Sequence, residues 1–200
     1  MCPSSPRDRN RPRAKTAAGA PTSRAPVSID LVEVDGLAVG ERHALYLEAC
    51  RALRRAVFIE EQQVPEALEW DGLDGDARHF LAIDSSARIQ SAPGALALGA
   101  ARMRVVEGHA KAERVAVRQD VRTLGIGRFL MLAIEAHARR LGLAVVVLHA
   151  QVAAIPFYER LGYRAHGDVF LSAGIDHREM TRILGTAKDR GSPQPGSTTR

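Results

Sequence analysis

A short segment between an apolar run and an amphipathic run carries the glycine pattern of a phosphate-binding loop. The apolar run ends at Val117, and Gly125 and Gly127 stand where helical periodicity begins. Unpaired backbone N–H groups and the positive end of a helix dipole converge at such a start. Glycine lets a phosphate approach the backbone, and Arg122 or Arg128 could add a charge-assisted hydrogen bond. The segment predicts a pyrophosphate cradle, with a tight strand-to-helix turn as the alternative. Walker A and Rossmann fingerprints are absent.

Two motifs in register resemble one enzyme family. Residues 122–127, Arg-Thr-Leu-Gly-Ile-Gly, are similar to the R/Q-x-x-G-x-G/A signature of the GNAT N-acetyltransferase superfamily. Residues 151–163 resemble that family's N-x-x-A-x-x-F-Y-x-x-x-G-F, with Gln151 for the usual Asn and Tyr163 for Phe. The resemblance implies an acyltransferase that moves an acetyl group from acetyl-CoA to a primary amine, by direct attack in a ternary complex.

Two further segments resemble the ElaA-like branch of this superfamily. One lies between Arg54 and Asp74 and the other between Gly174 and Met180, so that the resemblance covers about residues 29–183. It places the substrate cleft at these segments. The predicted substrate-binding residues are Glu61, Gln62, Glu69, Asp71 and His177. A solvated acidic face is the alternative for the loop at 66–76.

The resemblance also implies the residues that bind the co-substrate. Acetyl-CoA, without a metal ion, is expected at Val115, Ala116, Val117, Arg122, Thr123, Leu124, Gly125, Ile126, Gly127, Arg128, Gln151 and Phe157. The backbone near Val115 is assigned the donor to the developing oxyanion. Tyr158 is assigned the general acid that protonates the leaving thiolate, with a purely structural phenol as the alternative.

An amine acceptor must lose a proton before it can attack. A primary amine with a pKa of about 10.4 is about 99.9% protonated at pH 7, so a base must act or the neutral form must be selected. Glu113, on the strand before the cradle, is the predicted catalytic partner of Tyr158. Glu61, Glu69 and His177 remain alternatives as the base.

The acceptor itself stays open. Carboxylates in the segment 61–74 would favour a cationic amine, and polyamines, aminoglycosides, amino-acid derivatives and protein N-termini all meet that description. A function of another class, a non-catalytic acyl-CoA-binding sensor or interaction module, predicts binding without turnover.

Hydrophobic periodicity indicates the elements that must position these groups. Strands are expected at 27–34, 79–83, 95–106, 111–117, 144–148, 169–171 and 178–184, and helices at 41–62, 125–141 and 152–161. The order β-α-β-β-β-α-β-α-β-β predicts an α+β domain. The resemblance makes this a three-layer fold with a mixed, mostly antiparallel central sheet flanked by helices.

Charge and composition suggest one domain between two tails. The chain has 200 residues, of which 46% are hydrophobic. Residues 1–26 hold six basic residues and one acidic residue, a net charge of +5, and residues 186–200 hold three and one, a net charge of +2. Residues 27–185 are therefore mildly acidic. We expect disordered tails at 1–26 and 186–200 and one acetyltransferase domain at 27–185.

The same composition limits partners and location. A mildly acidic domain argues against nucleic-acid binding, although the basic tail leaves a nucleic-acid-binding arm or an organellar transit peptide as alternatives. No run approaches the length of about 18 apolar residues that a membrane span needs. Neither a secretion signal nor a disulfide pattern is evident. The sequence predicts a cytoplasmic protein and leaves open whether it forms a homodimer.

Overall fold

A computed structural model describes residues 28–85 and 97–185. The tails predicted at 1–26 and 186–200 lie outside these residues, as do residues 95 and 96, where the sequence predicts the start of a strand. Within the described ranges, seven strands form one sheet in the spatial order β1-β2-β3-β4-β5-β7-β6. The strands are β1 (Ile29–Asp35), β2 (Arg78–Asp84), β3 (Ala97–Val106), β4 (His109–Val117), β5 (Val145–Gln151), β6 (Arg164–Ser172) and β7 (Ile175–Ile183).

β4 and β5 are parallel, and every other neighbouring pair is antiparallel. The mixed, mostly antiparallel sheet predicted from the sequence is therefore confirmed. β6 starts five residues earlier than predicted, because its polar first half, interrupted by Gly167, lacks a clear apolar alternation.

Helices lie between the strands and cover the sheet. They are α1 (Glu41–Arg54), α2 (Glu66–Glu69), α3 (Ile126–Arg140) and α4 (Ile155–Arg160), with 3₁₀ turns at Gln119–Leu124 and Val152–Ala154. The long first helix predicted from the sequence changes at its end to a π-helical segment, Arg55–Glu61, which ends in a bond from the Gln62 amide to the Val57 carbonyl. The predicted acidic loop contains the extra helix α2, which follows Pro65, a residue suited to a helix start.

The apolar core forms two layers, one on each face of the sheet. On α3, Leu130, Ile134 and Ala138 are buried against one face, as their spacing of four residues predicts. On α1, Ala49 and Leu53 are buried against the opposite face. With the sheet between these layers, the predicted three-layer arrangement is confirmed.

A bulge in β4 turns that strand away from β5. Arg102 of β3 pairs with Glu113, whereas Ala100 pairs with Ala116, so β4 carries one extra residue over this stretch. Arg114, within the bulge, has a φ of +53°, which is uncommon for a residue other than glycine. The extra residue reverses the strand's faces: Ala112 packs in the α3 layer and Ala116 in the α1 layer. The parallel ladder between β4 and β5 ends at the pair Ala112 and Leu148.

Candidate active site

A cavity of about 470 Å³ lies where β4 and β5 stop pairing. Its walls come from both strands, the π-helical segment, α4 and the β6–β7 hairpin. The lining residues are Phe58, Gln62, Val64, Leu68, Lys111, Ala112, Glu113, Arg114, Val115, Leu148, His149, Gln151, Ala154, Tyr158, Ser172, Ala173, Ile175 and His177. The splayed strands thus leave a space between two halves of the sheet, with polar side chains around it.

The predicted phosphate cradle lies at the start of α3. Gly125 caps the helix with φ at +78° and ψ at 10°, a left-handed conformation that favours glycine. The first bond of the helix runs from the Phe129 amide to the Gly125 carbonyl, at 3.0 Å. The amides of residues 126–128 precede that bond and have no carbonyl one turn back in the helix. These donors and the positive helix end suit a pyrophosphate.

The two glycines of the cradle have different surroundings. A Cβ built on Gly125 would meet nothing within 4 Å, so the space beside this residue is open. A Cβ on Gly127 would lie 3.1 Å from Cζ of Phe157, which is tighter than ordinary packing. Gly127 therefore lets α4 approach α3, and Gly125 leaves the cradle accessible. Both observations fit a group held by main-chain donors.

Arg122, the basic residue expected to contact phosphate, is bound within the chain. Its two Nη atoms donate to the two carboxylate oxygens of Glu61, and its Nε donates to the Val117 carbonyl at 3.2 Å. The hydrogen bonds from Arg122 hold the pKa of Glu61 below its ordinary value. Glu61 belongs to the π-helical segment and does not line the cavity. Arg128 is exposed in the first turn of α3.

Tyr158 lines the cavity from α4 and is buried. Edge-to-face contacts fix its ring, with centroid distances of 4.9 Å to Phe157 and 5.8 Å to Tyr163. Its hydroxyl has no hydrogen-bond partner among the described residues, and burial raises its pKa to about 12. The phenol is therefore protonated at neutral pH and free to donate.

Tyr163 is itself held by a buried carboxylate. Its hydroxyl donates to Oε1 of Glu135 at 3.2 Å, and Arg182 donates to the same oxygen at 2.6 Å. Burial, followed by the charge of Glu135, raises the pKa of Tyr163 well above its ordinary value. These contacts connect α3 and β7 to the ring against which Tyr158 packs.

Two amides join the opposite sides of the cavity. Nε2 of Gln151, at the end of β5, donates to Oε1 of Gln62 at 2.8 Å. The sequence predicts that Gln151 binds the cofactor and that Gln62 binds the substrate. The structure brings these two side chains into contact.

Two histidines line the same cavity. Nδ1 of His177 lies 2.8 Å from the Ile175 carbonyl, which can only accept, so Nδ1 carries the proton and Nε2 of the neutral ring is an acceptor. His149 lies on β5, two residues before Gln151. Burial and then the positive charge of Lys111 lower the pKa of His149.

A cluster of charged residues lies beside the cavity, and we call it the arginine–carboxylate cluster. It consists of Arg54, Arg102, Arg104 and Arg114 with Glu69, Asp71, Asp74 and Glu113. Four guanidinium groups thus face four carboxylates. Arg51 adds an exposed contact to Asp74 at 3.5 Å.

Two fully buried arginines hold the cluster together. Arg102, with 0% of its side chain exposed, donates to Asp71 at 2.6 and 2.7 Å and to Asp74 at 2.9 Å. Arg54, at 1% exposed, donates to Glu69 at 2.5 Å and to Asp74 at 2.8 Å. Hydrogen bonding by Arg102 holds the pKa of Asp71 far below its ordinary range.

Glu113 occupies the edge of this cluster that faces the cavity. Arg104 donates to both of its oxygens at 2.8 Å, and Nε of Arg102 donates to Oε2 at 3.1 Å. Burial alone would raise the pKa of Glu113, but the bonds from Arg104 and the charge of Arg102 outweigh it and lower the pKa. Glu113 is therefore a carboxylate already bonded to two guanidinium groups.

Glu69 and Asp71 do not line the cavity. Arg114 binds them from the bulge, at 2.8 Å to Oε2 of Glu69 and 3.1 Å to Oδ2 of Asp71. The carboxylates expected to form a wall for a cationic acceptor are thus bonded to arginines, and the geometry does not place free negative charge there.

Sequence reasoning missed several residues of the cavity. Lys111 and His149 line it, and Arg102 and Arg114 arrange its edge. A signal existed for two of them, because Lys111 precedes Glu113 by two residues and His149 precedes Gln151 by two, so each shares a strand face with a residue already singled out. Among residues 28–85 and 97–185 no cluster of potential metal ligands is found, and no helix is long and apolar enough to cross a membrane.

Comparisons with known proteins decide the family. The sequence model of the acetyltransferase (GNAT) domain matches residues 46–184, more than half of the chain. The chain belongs to the GNAT family. The uncharacterized N-acetyltransferase YjcF of Bacillus subtilis is 36% identical over 131 residues, which are 65% of this chain and 87% of that protein.

Solved structures of the GNAT family have the same fold. An acyl-CoA N-acyltransferase from Pseudomonas aeruginosa is 30% identical, with a TM-score of 0.63, and the match covers 78% of this chain and 100% of that chain. ElaA of Escherichia coli is 25% identical, also with a TM-score of 0.63, over 78% of this chain and 99% of that chain. This GNAT protein is an acyltransferase, and its family uses acetyl-CoA as co-substrate.

Proposed function

We propose that this GNAT protein transfers an acetyl group from acetyl-CoA to a primary amine, with both substrates bound together. The observation that carries the proposal is Tyr158, a protonated phenol without a hydrogen-bond partner among the described residues, in the cavity between β4 and β5. Acetyl-CoA, when bound, supplies the thioester whose acetyl group is transferred and the thiolate that leaves.

The chain offers main-chain donors for both ends of that molecule. The amides of residues 126–128 and the open space beside Gly125 suit the pyrophosphate. Val115, Ala116 and Val117 lie on the part of β4 that no longer pairs with β5. We propose that backbone N–H groups there donate to the thioester carbonyl oxygen, where negative charge develops during the reaction.

Tyr158 is the proposed general acid. A bond forms between the amine nitrogen and the acetyl carbon, the carbon–sulfur bond breaks, and the phenol gives its proton to the sulfur. An acceptor that arrives as an ammonium ion loses two protons in total. One goes to a base and then to solvent, and the other restores the phenol.

The contacts favour His177 over Glu113 as the base. Both line the cavity, but Glu113 is bonded to two guanidinium groups, which weaken it as a proton acceptor. In the uncharged tautomer that donates from Nδ1 to the Ile175 carbonyl, Nε2 of His177 has a free lone pair, and imidazole is the usual base near neutral pH. The rising limb of the pH–rate profile should be lost in His177→Gln and kept in Glu113→Gln. The opposite result assigns the base to Glu113.

An amine-panel screen with acetyl-CoA tests the function directly. Release of free CoA thiol is measured over time, and isothermal titration measures acetyl-CoA binding to the same protein. Turnover of at least one amine above the hydrolysis blank is expected. Binding without turnover across the panel supports the alternative acyl-CoA sensor, and failure of folded protein to bind at millimolar acetyl-CoA contradicts both.

A further inference from the structure

The cavity lining contains more basic than acidic side chains. Glu113 is the acidic residue of the lining, whereas Lys111 and Arg114 are basic. Beyond the wall, the other three carboxylates of the arginine–carboxylate cluster are bonded to guanidinium groups. A polycationic acceptor would therefore meet no free carboxylate in the lining.

Lys111 is the basic residue of the lining with spare hydrogen-bonding capacity. Its Nζ lies 3.8 Å from Oε1 of Glu113, beyond hydrogen-bond distance, and the same oxygen already accepts from Arg104 at 2.8 Å. Arg114 differs, because its guanidinium binds Glu69, Asp71 and the Leu68 carbonyl. An ammonium group has three donors, so Lys111 can bind an incoming anion without breaking a bond in the protein.

Apart from Glu113, which is already bonded to Arg102 and Arg104, the groups around Lys111 would compete little with such an anion. The side chain of Lys111 is 25% exposed, so the cavity partly screens it from water. Burial and then the nearby charge of Lys111 lower the pKa of His149, which favours the uncharged ring. Glu179 of β7, a carboxylate outside the cluster, lies 3.9 Å from Nε2 of His149 and is not part of the lining.

We propose that the acceptor is an amine that also carries a carboxylate, and that the ammonium group of Lys111 binds this carboxylate. The inference rests on the proposed acetyltransferase function and names the chemical class of its acceptor: amino acids and related amino carboxylates. It narrows the cationic amines that the acidic segment suggested to those that also carry a carboxylate, because arginines of the chain itself neutralise that segment.

Pairs of amines that differ only by an α-carboxylate test the proposal. Lysine and cadaverine, ornithine and putrescine, and phenylalanine and phenethylamine are each assayed with acetyl-CoA, and product masses are recorded. In at least one pair, kcat/KM should be about ten- to a hundredfold higher for the carboxylate-bearing member, the factor expected for one charge-assisted hydrogen bond.

Variants of Lys111 test whether this residue causes the preference for the carboxylate-bearing amine. In Lys111→Gln the ratio of the two kcat/KM values within a pair should fall towards one. In Lys111→Arg, which keeps the positive charge, the ratio should stay close to that of the parent. Arg164→Gln removes an exposed positive charge at the start of β6 and serves as the control, with the parent ratio expected. A ratio compares two substrates of one protein, so a partly unfolded variant does not distort it.

The outcomes separate this inference from the function on which it rests. The inference is overturned if the amines without a carboxylate are turned over equally well or better. It is also overturned if Lys111→Gln keeps the kcat/KM ratio of the parent. Either result leaves the acetyltransferase function intact. Absence of turnover with every member of the pairs overturns the inference, and absence of turnover across the wider amine panel as well, in protein that binds acetyl-CoA by titration, overturns both.

Discussion

Arg122 of the phosphate cradle donates two hydrogen bonds to the carboxylate of Glu61, a residue 61 positions earlier in the chain. The pair joins the start of the cradle to the π-helical segment that leads into Gln62, at the wall of the cavity. We propose that an arriving pyrophosphate competes with Glu61 for the guanidinium group of Arg122.

The exchange predicts that Glu61→Gln binds acetyl-CoA more tightly. Removing the competing charge should lower Kd by about two- to fivefold, the range of an exposed ion pair, and the gain should shrink at high salt. Arg122→Gln should weaken binding instead. Isothermal titration at two salt concentrations measures both variants, and weaker binding by Glu61→Gln would mean that Glu61 orients Arg122 for the phosphate.

Replacing Tyr158 by Phe should remove the proposed acid while keeping the ring contacts with Phe157 and Tyr163. We expect kcat to fall by about 10² to 10⁴, the usual contribution of a general acid, with acetyl-CoA Kd within a few-fold and little change in Tm. The hydroxyl has no partner to lose among the described residues, so a structural role predicts almost no effect on kcat. A variant with more than half the parent kcat would rule out the acid role.

The cradle glycine can be tested with a matched control. Gly125→Val introduces a β-branched residue at a φ of +78° and places a side chain in the open space of the cradle. Acetyl-CoA affinity should fall at least about tenfold, or 1.4 kcal/mol. Gly142, after the other end of α3, has a φ of +75° and equally open surroundings.

Gly142→Val should therefore lose similar stability and keep the parent affinity. Titration and thermal unfolding of both variants separate backbone strain from blockage of the site. If folded Gly125→Val binds acetyl-CoA as tightly as the parent, the segment is only a strand-to-helix turn and does not bind the pyrophosphate.

The arginine–carboxylate cluster predicts a pH-dependent loss of stability in Arg102→Leu. Removing the buried guanidinium leaves Asp71 without its main partner and Asp74 with Arg54 as its remaining buried partner, at a cost of about 3–5 kcal/mol near neutral pH. Arg102 lowers the pKa of both carboxyls, so the stability it adds is present above the unfolded pKa and is lost as pH falls through the folded values. The difference between variant and parent should therefore shrink below about pH 4.

Chemical unfolding at several pH values measures that difference. Arg78→Gln is the control, since the pair between Arg78 and Asp35 is partly exposed and lies 3.3 Å apart. Its effect should stay within about 1 kcal/mol at all pH values. A pH-independent loss in Arg102→Leu would point to packing rather than charge.

Local signals were sufficient to predict some parts of the molecule. The spacing of Leu130, Ile134 and Ala138 predicts α3, and Gly125 predicts the tight turn at its start, because both depend on residues close in sequence. The bulge at Arg114 could not be predicted, since a positive φ at a non-glycine residue follows from tertiary contacts with the loop at 66–76. Arg102 and Asp71 are 31 residues apart in sequence, so their ion pair has no local signal. The acidic segment was therefore interpreted as a substrate-binding wall, although the arginines that pair with it lie on β3 and β4.

Trp70, the one tryptophan of the sequence, lies beside the arginine–carboxylate cluster. The guanidinium carbon of Arg54 is 5.2 Å from the centre of its ring, that of Arg55 is 5.7 Å away, and its indole N–H donates to Glu66 at 2.8 Å. Two cations near one indole make its emission sensitive to their position. Tryptophan fluorescence therefore reports on the surroundings of Trp70 at the arginine–carboxylate cluster, and a change that precedes the loss of helical circular dichroism would reveal local opening before the domain unfolds.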